Sequence, residues 1–526
     1  MSWPPQSIDN SFTSDIIITE GFLYMTRVGI LSITVIFLIM AALTAGTLGY
    51  VAPGPIEVRD WYDLDAIRDD LHGSYLLMND LDSATAGYEE LASPTASDGK
   101  GWQPIGSFPP WTETTFRGFM GTFDGQGHQI LDLYINLPDE PYADNVGLFG
   151  EVGPGGIIKG IGVVNAIVIG GWDVGGLVGW NQGTVSNSYS TGNSTGEGGI
   201  GGLVGDNWGA VSDSYSGANV NGNWDSGGLV GQNYGTVSNS YFTGGMTGYD
   251  HVGGLVGWNE GTVSSSYSTG SVAGNYTVGG LVGMNVGPVS NCYFTGNATG
   301  EGSVGGLVGS NTNLGTVINS YSTGRVTGNA GTGGLVGNGG PSVMNSLWDI
   351  ETSGQAVSAG GTGKTTEEMQ DIATFSGAAW EICVVPPGAT NPAYTWNIVD
   401  GVTYPFLSWQ LVSTLEDQQP IEITSVLGPL QPFTPAGPAV EITLKNVAVE
   451  PVISLTATLE VNRSFNIAFN VTPSNPLQPD RSTSARRTLI GGGFSGGNVS
   501  YPLTINATHQ NGAQFVYTKL VQILEP

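Results

Sequence analysis

Four aromatic side chains beside a recurring turn are the residues best suited, by type and spacing, to bind a ligand. Trp180, Trp208, Tyr234 and Trp258 each lie next to an asparagine that recurs along the chain. An exposed aromatic ring stacks well on the apolar face of a sugar, and tryptophan and tyrosine add a polar handle. Two interpretations stay open, a glycan-binding ridge along one edge of the fold or rings that only cover turns.

Carboxylates are the other side chains that could do chemistry, because polysaccharide lyases and glycoside hydrolases use clustered acids. In stacked repeats, such a cluster needs acids at matching places in neighbouring units. Glu197 and Glu301 match but lie four units apart, and the other repeat acids show no alignment: Asp206, Asp213, Asp225, Asp250 and Glu260. We therefore predict no catalytic residues and a protein that is not an enzyme. A polysaccharide lyase or glycoside hydrolase is the alternative.

The sequence contains no convincing motif for a metal ion or a cofactor. The four histidines are isolated and none is followed by glutamate, so no zinc-ligand spacing occurs. Gly363, Lys364 and Thr365 look like the end of a phosphate-binding loop, but Ser358 stands where that loop needs a glycine. We expect neither a metal nor a cofactor, and calcium at an acidic turn is the alternative that stays open.

A five-residue motif, Gly-Gly-Leu-Val-Gly, sets the scaffold on which these side chains must lie. It starts at residues 175, 201, 227, 253, 279, 305 and 333, so that five steps are 26 residues and the last is 28. A fixed period in this range is typical of a solenoid, a propeller or an array. A propeller blade needs about 40–50 residues, which makes a unit of 26 short and favours the solenoid.

The repeats predict strands rather than helices, since glycine is too frequent and no helical spacing occurs. Such short strands gain stability when each pairs with its neighbours above and below, as in a parallel β-solenoid. Residues 26 apart should then form columns of leucine from Leu177, valine from Val185, asparagine from Asn181 and tyrosine from Tyr189. The asparagines could form an amide ladder, whereas the direction of the tyrosines stays open.

The repeats, with the pattern Gly-Gly-Leu-Val-Gly-x-Asn-x-Gly-x-Val-Ser-Asn-Ser-Tyr-Ser-Thr-Gly, resemble the GLUG motif of bacterial and archaeal surface proteins. The resemblance covers about residues 56–411 and includes Trp102–Gly106, Gly121–His128 and Tyr404–Trp409. It implies a secreted or surface-attached β-solenoid that is often adhesin-like. It does not imply a defined reaction.

The N-terminal segment, residues 1–55, predicts a signal peptide or a membrane anchor. Residues 28–52 carry no charge and follow Arg27, and the apolar core is long enough for a signal peptide and borderline for a spanning helix. The acidic residues before Met25 fit a signal poorly, so we expect translation to start at Met25. Sequencing the N-terminus of the mature protein tests this expectation.

The rest of the chain divides into four predicted regions. Residues 56–145 form an N-terminal cap with the first rungs, and 146–348 form the solenoid. Residues 349–420 form a C-terminal cap and linker. Residues 421–526 contain about seven alternating runs, which predict an immunoglobulin-like β-sandwich. Asp60 should cap a helix through about Leu71, and Thr365 to Glu368 should form a capping box.

Composition narrows the class of partner. The 526 residues carry a formal net charge of −30, and nucleic acid is excluded because phosphate binding needs basic patches. Cys292 occupies a position held by serine in most repeats, so we expect a small packing residue and no disulfide to Cys383. The sequence predicts an exported cell-surface protein with a non-catalytic adhesive or envelope-structural role. Surface glycans or other envelope proteins are the candidate partners, and the membrane is another if the N-terminal segment is retained.

Overall fold

The computed structural model describes residues 54–106, 118–138, 144–340 and 342–410, together with the backbone of strands between 421 and 522. The described residues from Ile56 onwards belong to one compact unit. The predicted signal peptide or anchor lies, except for its last two residues, outside the described residues. In the part of the chain that the structure describes, no helix is both long and apolar enough to cross a membrane.

Each 26-residue repeat makes one rung of short strands that turns through three sheets. Every strand pairs in parallel with the equivalent strand of the next rung, so that Val211 lies beside Val237 and Tyr215 beside Tyr241. One 26-residue repeat therefore forms one complete turn of the solenoid. The predicted all-β fold with a parallel β-solenoid is confirmed, and the propeller is excluded.

Two of the three sheets consist of short strands, one from each rung. We call the first the asparagine face; its strands are Phe149–Val152, Val178–Asn181, Val204–Asn207, Val230–Asn233, Val256–Asn259, Val282–Asn285, Val308–Asn311 and Val336–Gly339. We call the second the valine face; its strands are Ile56–Val58, Ser74–Leu77, Thr122–Asp124, Ile157–Lys159, Thr184–Ser186, Ala210–Ser212, Thr236–Ser238, Thr262–Ser264, Pro288–Ser290, Thr316–Ile318 and Val343–Met344.

The third sheet, the tyrosine face, contains longer and more irregular strands. They are Gln129–Leu131, Tyr134–Asn136, Asp144–Val146, Gly162–Ile169, Trp172–Val174, Tyr189–Ile200, Tyr215–Ser216, Asn219–Gly227, Tyr241–Phe242, Gly245–Gly253, Tyr267–Ser268, Ser271–Ala273, Tyr276–Gly279, Tyr293–Phe294, Asn297–Thr299, Gly302–Gly305, Tyr321–Ser322, Arg325–Thr327, Ala330–Gly333, Leu347–Asp349 and Thr362–Lys364. Within a rung, the chain passes from the asparagine face to the valine face and then along the tyrosine face.

The leucine and valine columns form the core between the sheets. The column leucines from Leu177 to Leu335 and the column valines from Val185 to Val317 are fully buried. Each such side chain contributes roughly 1.5–3 kcal/mol when it leaves water. The first glycine of the motif is required by close approach, since a Cβ on Gly253 would overlap the carbonyl oxygen of Val256. The repeated motif therefore specifies both the core and the bend that surrounds it.

The asparagine column forms a buried amide ladder, as its spacing predicts. Each Nδ2 donates to the Oδ1 of the asparagine in the next rung, 2.8 Å away at every step from Asn181 to Asn311. The side chains are at most 1% exposed. Buried amides normally cost free energy unless they are paired, so the ladder requires that the rungs stay in register.

The N-terminal cap contains short helices that pack on the first rungs. They are Trp61–Asp65 and Tyr88–Leu91, with 3-10 turns at Ala66–Asp69 and Ala96–Gly99. Asp60 caps the first helix by accepting from the amide of Asp63, as predicted. The α-helix ends at Asp65 rather than near Leu71. The following turn tightens because the guanidinium of Arg68 binds the carbonyls of Gln103 and Pro104.

The C-terminal cap follows the last rung and covers its apolar side chains. Its helices are Ile350–Ser353, Thr366–Met369 and Ile372–Gly377, and its small sheet comprises Ile382–Val384, Trp396–Ile398 and Phe406–Leu407. The predicted capping box from Thr365 to Glu368 is present. Trp380 and Trp396 pack against Tyr321, so this cap forms a second core with the end of the tyrosine column.

The described strands after residue 420 form two antiparallel sheets. One contains Ile421–Thr434, Gly437–Asn446 and Ser482–Thr488, and the other Ser464–Ala468, Val452–Glu460, Ser500–His509 and Gln514–Gln522. Along the chain, the fifth strand, Ser482–Thr488, returns to the first sheet, and the sixth strand, Ser500–His509, belongs to the second sheet. This order agrees with the predicted run of strands, and the immunoglobulin-like packing stays a prediction.

Candidate functional site at the corner between two faces

The four predicted aromatic residues all lie on the asparagine face, but in two columns. Trp180 and Trp258 precede the ladder asparagine and pair in register with Asp206 and Gln232, respectively. Trp208 and Tyr234 follow the ladder asparagine. The four side chains therefore do not make one continuous ridge, and they divide into pairs with different surroundings.

Trp208 and Tyr234 form an exposed, oriented pair. Their rings stack with centroids 4.5 Å apart and planes at 25°. The indole N–H of Trp208 donates to Oδ2 of Asp206 at 2.9 Å, and the hydroxyl of Tyr234 donates to Oε1 of Gln232 at 3.1 Å. Because Trp208 is 54% exposed, this pair offers an aromatic surface whose orientation is fixed before any ligand arrives.

Trp180 and Trp258 are partly buried and serve different contacts. Trp258 packs edge-on against His251, with ring centroids 4.9 Å apart, and its indole N–H donates to Oε1 of Glu260 at 3.2 Å. The indole N–H of Trp180 is buried and has no hydrogen-bond partner among the described residues. Trp258 therefore packs with His251 rather than with the stack of Trp208 and Tyr234.

Three carboxyl groups meet where the tyrosine face passes into the asparagine face. Asp173, Gly199 and Asp225 lie in one column, 26 residues apart. Asp173 and Asp225 both have a left-handed backbone conformation, with φ of 53° and 47°. Because Gly199 has no Cβ, Oδ1 of Asp173 extends into the space that a side chain there would fill. We call Asp173, Asp206, Asp225 and His251 the corner cluster.

Burial governs the protonation of the corner cluster. Burial raises the pKa of Asp173 well above its ordinary value, and the charges of Asp206, Asp144 and Asp225 raise it further. Burial also raises the pKa of Asp206 to about 7, against the opposing hydrogen bond from Trp208. One oxygen of Asp206 is buried without a partner among the described residues. The two carboxyls therefore favour the neutral form at mildly acidic pH.

Asp225 makes hydrogen bonds through both of its carboxyl oxygens. Its Oδ2 accepts from Nε2 of Gln232 at 3.1 Å, and its Oδ1 lies 2.6 Å from Nδ1 of His251. Burial by itself lowers the pKa of His251, but the hydrogen bond and charge of Asp225 and the charge of Asp250 outweigh it, so the pKa is raised. The hydrogen bond to Asp225 therefore favours the protonated form of His251, which lies in the same cluster as two acids that favour the neutral form.

Asp206 and Asp225 lie in different columns, as expected from the sequence. The sequence did not predict that they belong to one cluster. Side chains from two different columns meet across the corner, which no comparison within one column reveals. The available signal was Gly199, a glycine that lies between Asp173 and Asp225 in the same column. Within the described ranges, no group of three or more histidine, cysteine or acidic side chains is arranged to hold a metal ion.

A second group of exposed aromatic side chains borders the corner cluster. Trp224, which precedes Asp225, meets Tyr249 edge-on at 5.3 Å, and Tyr249 meets Tyr276 edge-on at 5.6 Å. Each ring is 42–44% exposed. Sequence reasoning missed these residues because their spacings are 25 and 27 rather than 26. Together with Trp208, they give the corner aromatic surface on both sides of its acids.

These features define the class of protein, a parallel β-solenoid built from in-register repeats with a carboxyl and aromatic corner. Its repeats match the family described as the GLUG motif at residues 170–195, 222–247, 248–273 and 300–327. Residues 170–327 therefore carry GLUG-motif repeats, which confirms the resemblance predicted from sequence for this part of the chain.

Two curated relatives share part of the chain. Halomucin of Haloquadratum walsbyi is 37% identical over 159 residues, which is 30% of this chain and 2% of that protein. A putative Gly-rich membrane protein of Evansella cellulosilytica is 34% identical over 138 residues, which is 25% of this chain and 14% of that protein. The chain thus corresponds to a small part of the length of either relative.

One solved structure shows a partial similarity. It is the archaellum periplasmic stator protein complex FlaF and FlaG from Sulfolobus acidocaldarius, with 19% identity and a TM-score of 0.13 over 19% of this chain and 89% of that chain. At this TM-score, the similarity carries no argument about fold or function.

Proposed function

We propose that this chain is a cell-surface protein that binds saccharide polymers at the corner cluster and its flanking aromatic rings, without cleaving them. Support for the location comes from the GLUG repeats and from a relative whose name places it at a membrane. In this proposal, residues 1–55 export or anchor the chain, and the domain at 421–526 attaches it or adds contacts.

The observation that carries this proposal is the preset geometry of Trp208. Its ring is exposed, is supported by Tyr234 and is oriented by its hydrogen bond to Asp206. An aromatic ring with a fixed face and adjacent acceptors suits a sugar, whose apolar face stacks while its hydroxyls donate. A fixed ring also loses little side-chain entropy on binding.

The repeated rungs suit a polymer better than a single sugar. Trp208 and the chain of rings from Trp224 to Tyr276 lie on neighbouring rungs, and adjacent rungs are spaced by roughly 4.8 Å. Several weak contacts along one ligand raise its effective affinity through local concentration. The net charge of −30 repels acidic polymers, so neutral or amino polysaccharides are the expected ligands.

The test is binding of the purified full chain to a panel of neutral, amino and acidic polysaccharides, with product analysis on the same samples. Replacing Trp208 and Tyr234 together by alanine should weaken binding about tenfold, which corresponds to about 1.4 kcal/mol. Tyr394→Ala is the matched control, because Tyr394 is 40% exposed but lies in the C-terminal cap. Equal affinity of the double variant and the control would refute the proposed site.

The enzyme alternative has one structural observation in its favour. Asp206 has a pKa of about 7 beside Asp225 and His251, and a carboxyl that stays protonated near neutral pH can act as a general acid. Cleavage products in the panel, lost in Asp206→Asn, would replace the binding proposal by this alternative. Neither binding nor cleavage would favour an envelope-structural role.

A further inference from the structure

The tyrosine column forms a stack of parallel rings, and the described residues of the C-terminal cap cover only part of its length. Neighbouring rings from Tyr189 to Tyr321 lie 4.7–5.1 Å apart with planes within 7°. The C-terminal cap buries the last two rings: the hydroxyl of Tyr321 donates to the carbonyl of Pro405, and that of Tyr293 accepts from Gln410. Towards the N-terminus, the rings of Tyr215 and Tyr241 are only partly buried.

Trp409, near the end of the described part of the cap, contacts the middle of this stack. Its ring lies at 29° to the rings of both Tyr241 and Tyr267, with centroids 6.4 and 5.9 Å away. Its indole N–H donates to the carbonyl of Ser265 at 2.9 Å. The ring is therefore held at a moderate tilt to the stack, and it lines a cavity beside Tyr241.

A cavity of about 400 Å³ opens beside Trp409. Tyr241 and Trp409 supply its aromatic walls, and its polar side consists of Asn187, Asp213 and Asn239. These three residues lie one rung apart with φ of 48–50°, a conformation that asparagine and aspartate tolerate best among residues with a side chain. The side-chain amide of Asn239 donates to Oδ1 of Asp213 at 3.2 Å. This hydrogen bond fixes the orientation of two of the three polar side chains.

The lining sets the chemistry of the ligand. It contains aromatic rings, amides and one carboxylate but no lysine or arginine, so a phosphate or a carboxylate would lack a counter-charge. A carboxylate accepts hydrogen bonds, and amides both donate and accept, which matches a ring carrying several hydroxyls. Cavities of roughly 300–1,000 Å³ commonly hold small ligands.

We propose that this cavity binds one pyranose ring of an uncharged saccharide. The apolar face of the sugar stacks on Trp409, and its hydroxyls bond to Asp213 and to the amides of Asn187 and Asn239. The cavity lies at the start of the tyrosine strands, whereas the corner cluster lies at their far end. This proposal does not depend on ligand binding at the corner cluster.

The test uses the full chain and four named probes, tetrasaccharides of glucose, mannose, galactose and N-acetylglucosamine, titrated by calorimetry. Asp213→Asn keeps the size and backbone preference of the residue and removes one acceptor oxygen. We expect it to weaken the tightest probe at least tenfold, and Trp409→Ala to abolish its binding. Asp98→Asn is the matched control, since Asp98 is also exposed and left-handed, with φ of 58°.

The outcomes separate this site from the corner cluster. Loss of binding in Asp213→Asn, with retention in the Trp208 and Tyr234 double variant, supports the cavity. The reverse result overturns the cavity and leaves the corner proposal intact. Absence of binding by all four probes at millimolar concentration also overturns it. Asp213→Asn decides the question if Trp409→Ala disturbs the C-terminal cap, which circular dichroism will reveal.

Discussion

The carboxyl of Asp173 occupies the space that a side chain at Gly199 would fill in the next rung. This relationship brings Asp173 within electrostatic reach of Asp206, because the missing Cβ lets one rung reach into its neighbour. A single glycine in one column thus assembles a cluster from acids that belong to different columns.

Replacing Gly199 by alanine should destabilise the solenoid and displace Asp173. The residue has φ of 66°, and an added Cβ would overlap Oδ1 of Asp173. We expect a loss of about 1–3 kcal/mol in the free energy of unfolding. Thermal unfolding followed by circular dichroism measures it.

Gly217→Ala is the matched control for that substitution. Gly217 has no positive φ, and the nearest atoms to an added Cβ, on Thr191 and Thr243, are 3.5 Å away. This is an ordinary contact distance, so the control should change stability by less than about 0.5 kcal/mol. Equal melting temperatures for the two variants would contradict the steric argument.

Stability near the corner cluster should depend on pH through Asp206. Its pKa rises from the ordinary value of 3.8 to about 7 on folding, so between these values the folded state binds more protons than the unfolded state. The free energy of unfolding therefore falls as pH rises through this window. Glu151, whose pKa burial also raises to about 7, contributes with the same sign.

Asp206→Asn should remove its share of this pH dependence. Relative to the wild type, the variant should gain on the order of 4 kcal/mol between pH 4 and pH 8. The difference between the two proteins is the quantity to measure, because Asp349, whose pKa is lowered, contributes the opposite slope. A constant difference across this range would show that Asp206 titrates normally in the fold.

Breaking the amide ladder should cost more than removing an exposed asparagine. Asn259 accepts from Asn233 and donates to Asn285 inside the solenoid. Asn259→Leu removes both bonds and should lower the free energy of unfolding by about 2–4 kcal/mol. Asn223→Ala, at an exposed position, should cost less than about 1 kcal/mol. Denaturant unfolding of the two variants compares them, and similar midpoints would argue against the ladder.

The two thiols should react at very different rates. Cys292 is fully buried, and burial raises the pKa of its thiol to about 12, whereas Cys383 is partly exposed. Because the thiolate is the reactive form, a thiol reagent at pH 8 should modify one cysteine in the folded chain and both after unfolding. Cys383→Ser should leave no reactive thiol until the solenoid unfolds. Rapid reaction of two thiols in the native protein would contradict the buried placement of Cys292.

The scaffold was predictable from sequence because identical residues recur at a fixed period. Parallel strands in register must place residues 26 apart over one another, so the columns of Leu177, Val185 and Asn181 followed directly. The two extra residues near Thr312 lie in a turn between strands, and the ladder continues from Asn285 to Asn311 before it. The sequence around Asp60 also sufficed to predict that this residue caps a helix, although it did not predict where the helix ends.

The candidate sites were less predictable because they depend on how columns meet. The direction of the tyrosines follows from the C-terminal cap, where Trp396 packs against Tyr321 more than seventy positions along the chain. The corner cluster needs the bend between two sheets and the gap at Gly199. The chain of rings from Trp224 to Tyr276 departs from the period by one residue each way. None of these relationships is a property of one repeat.

The equality between one repeat and one rung has a genetic consequence. Nearly identical coding segments recombine readily with one another, and such an event inserts or deletes a whole unit. A new rung offers the same leucine, valine and asparagine to the neighbour on either side, so both caps keep their contacts. Each event changes the separation of the caps by roughly 4.8 Å. A lineage can therefore adjust how far such a molecule reaches without evolving any new contact.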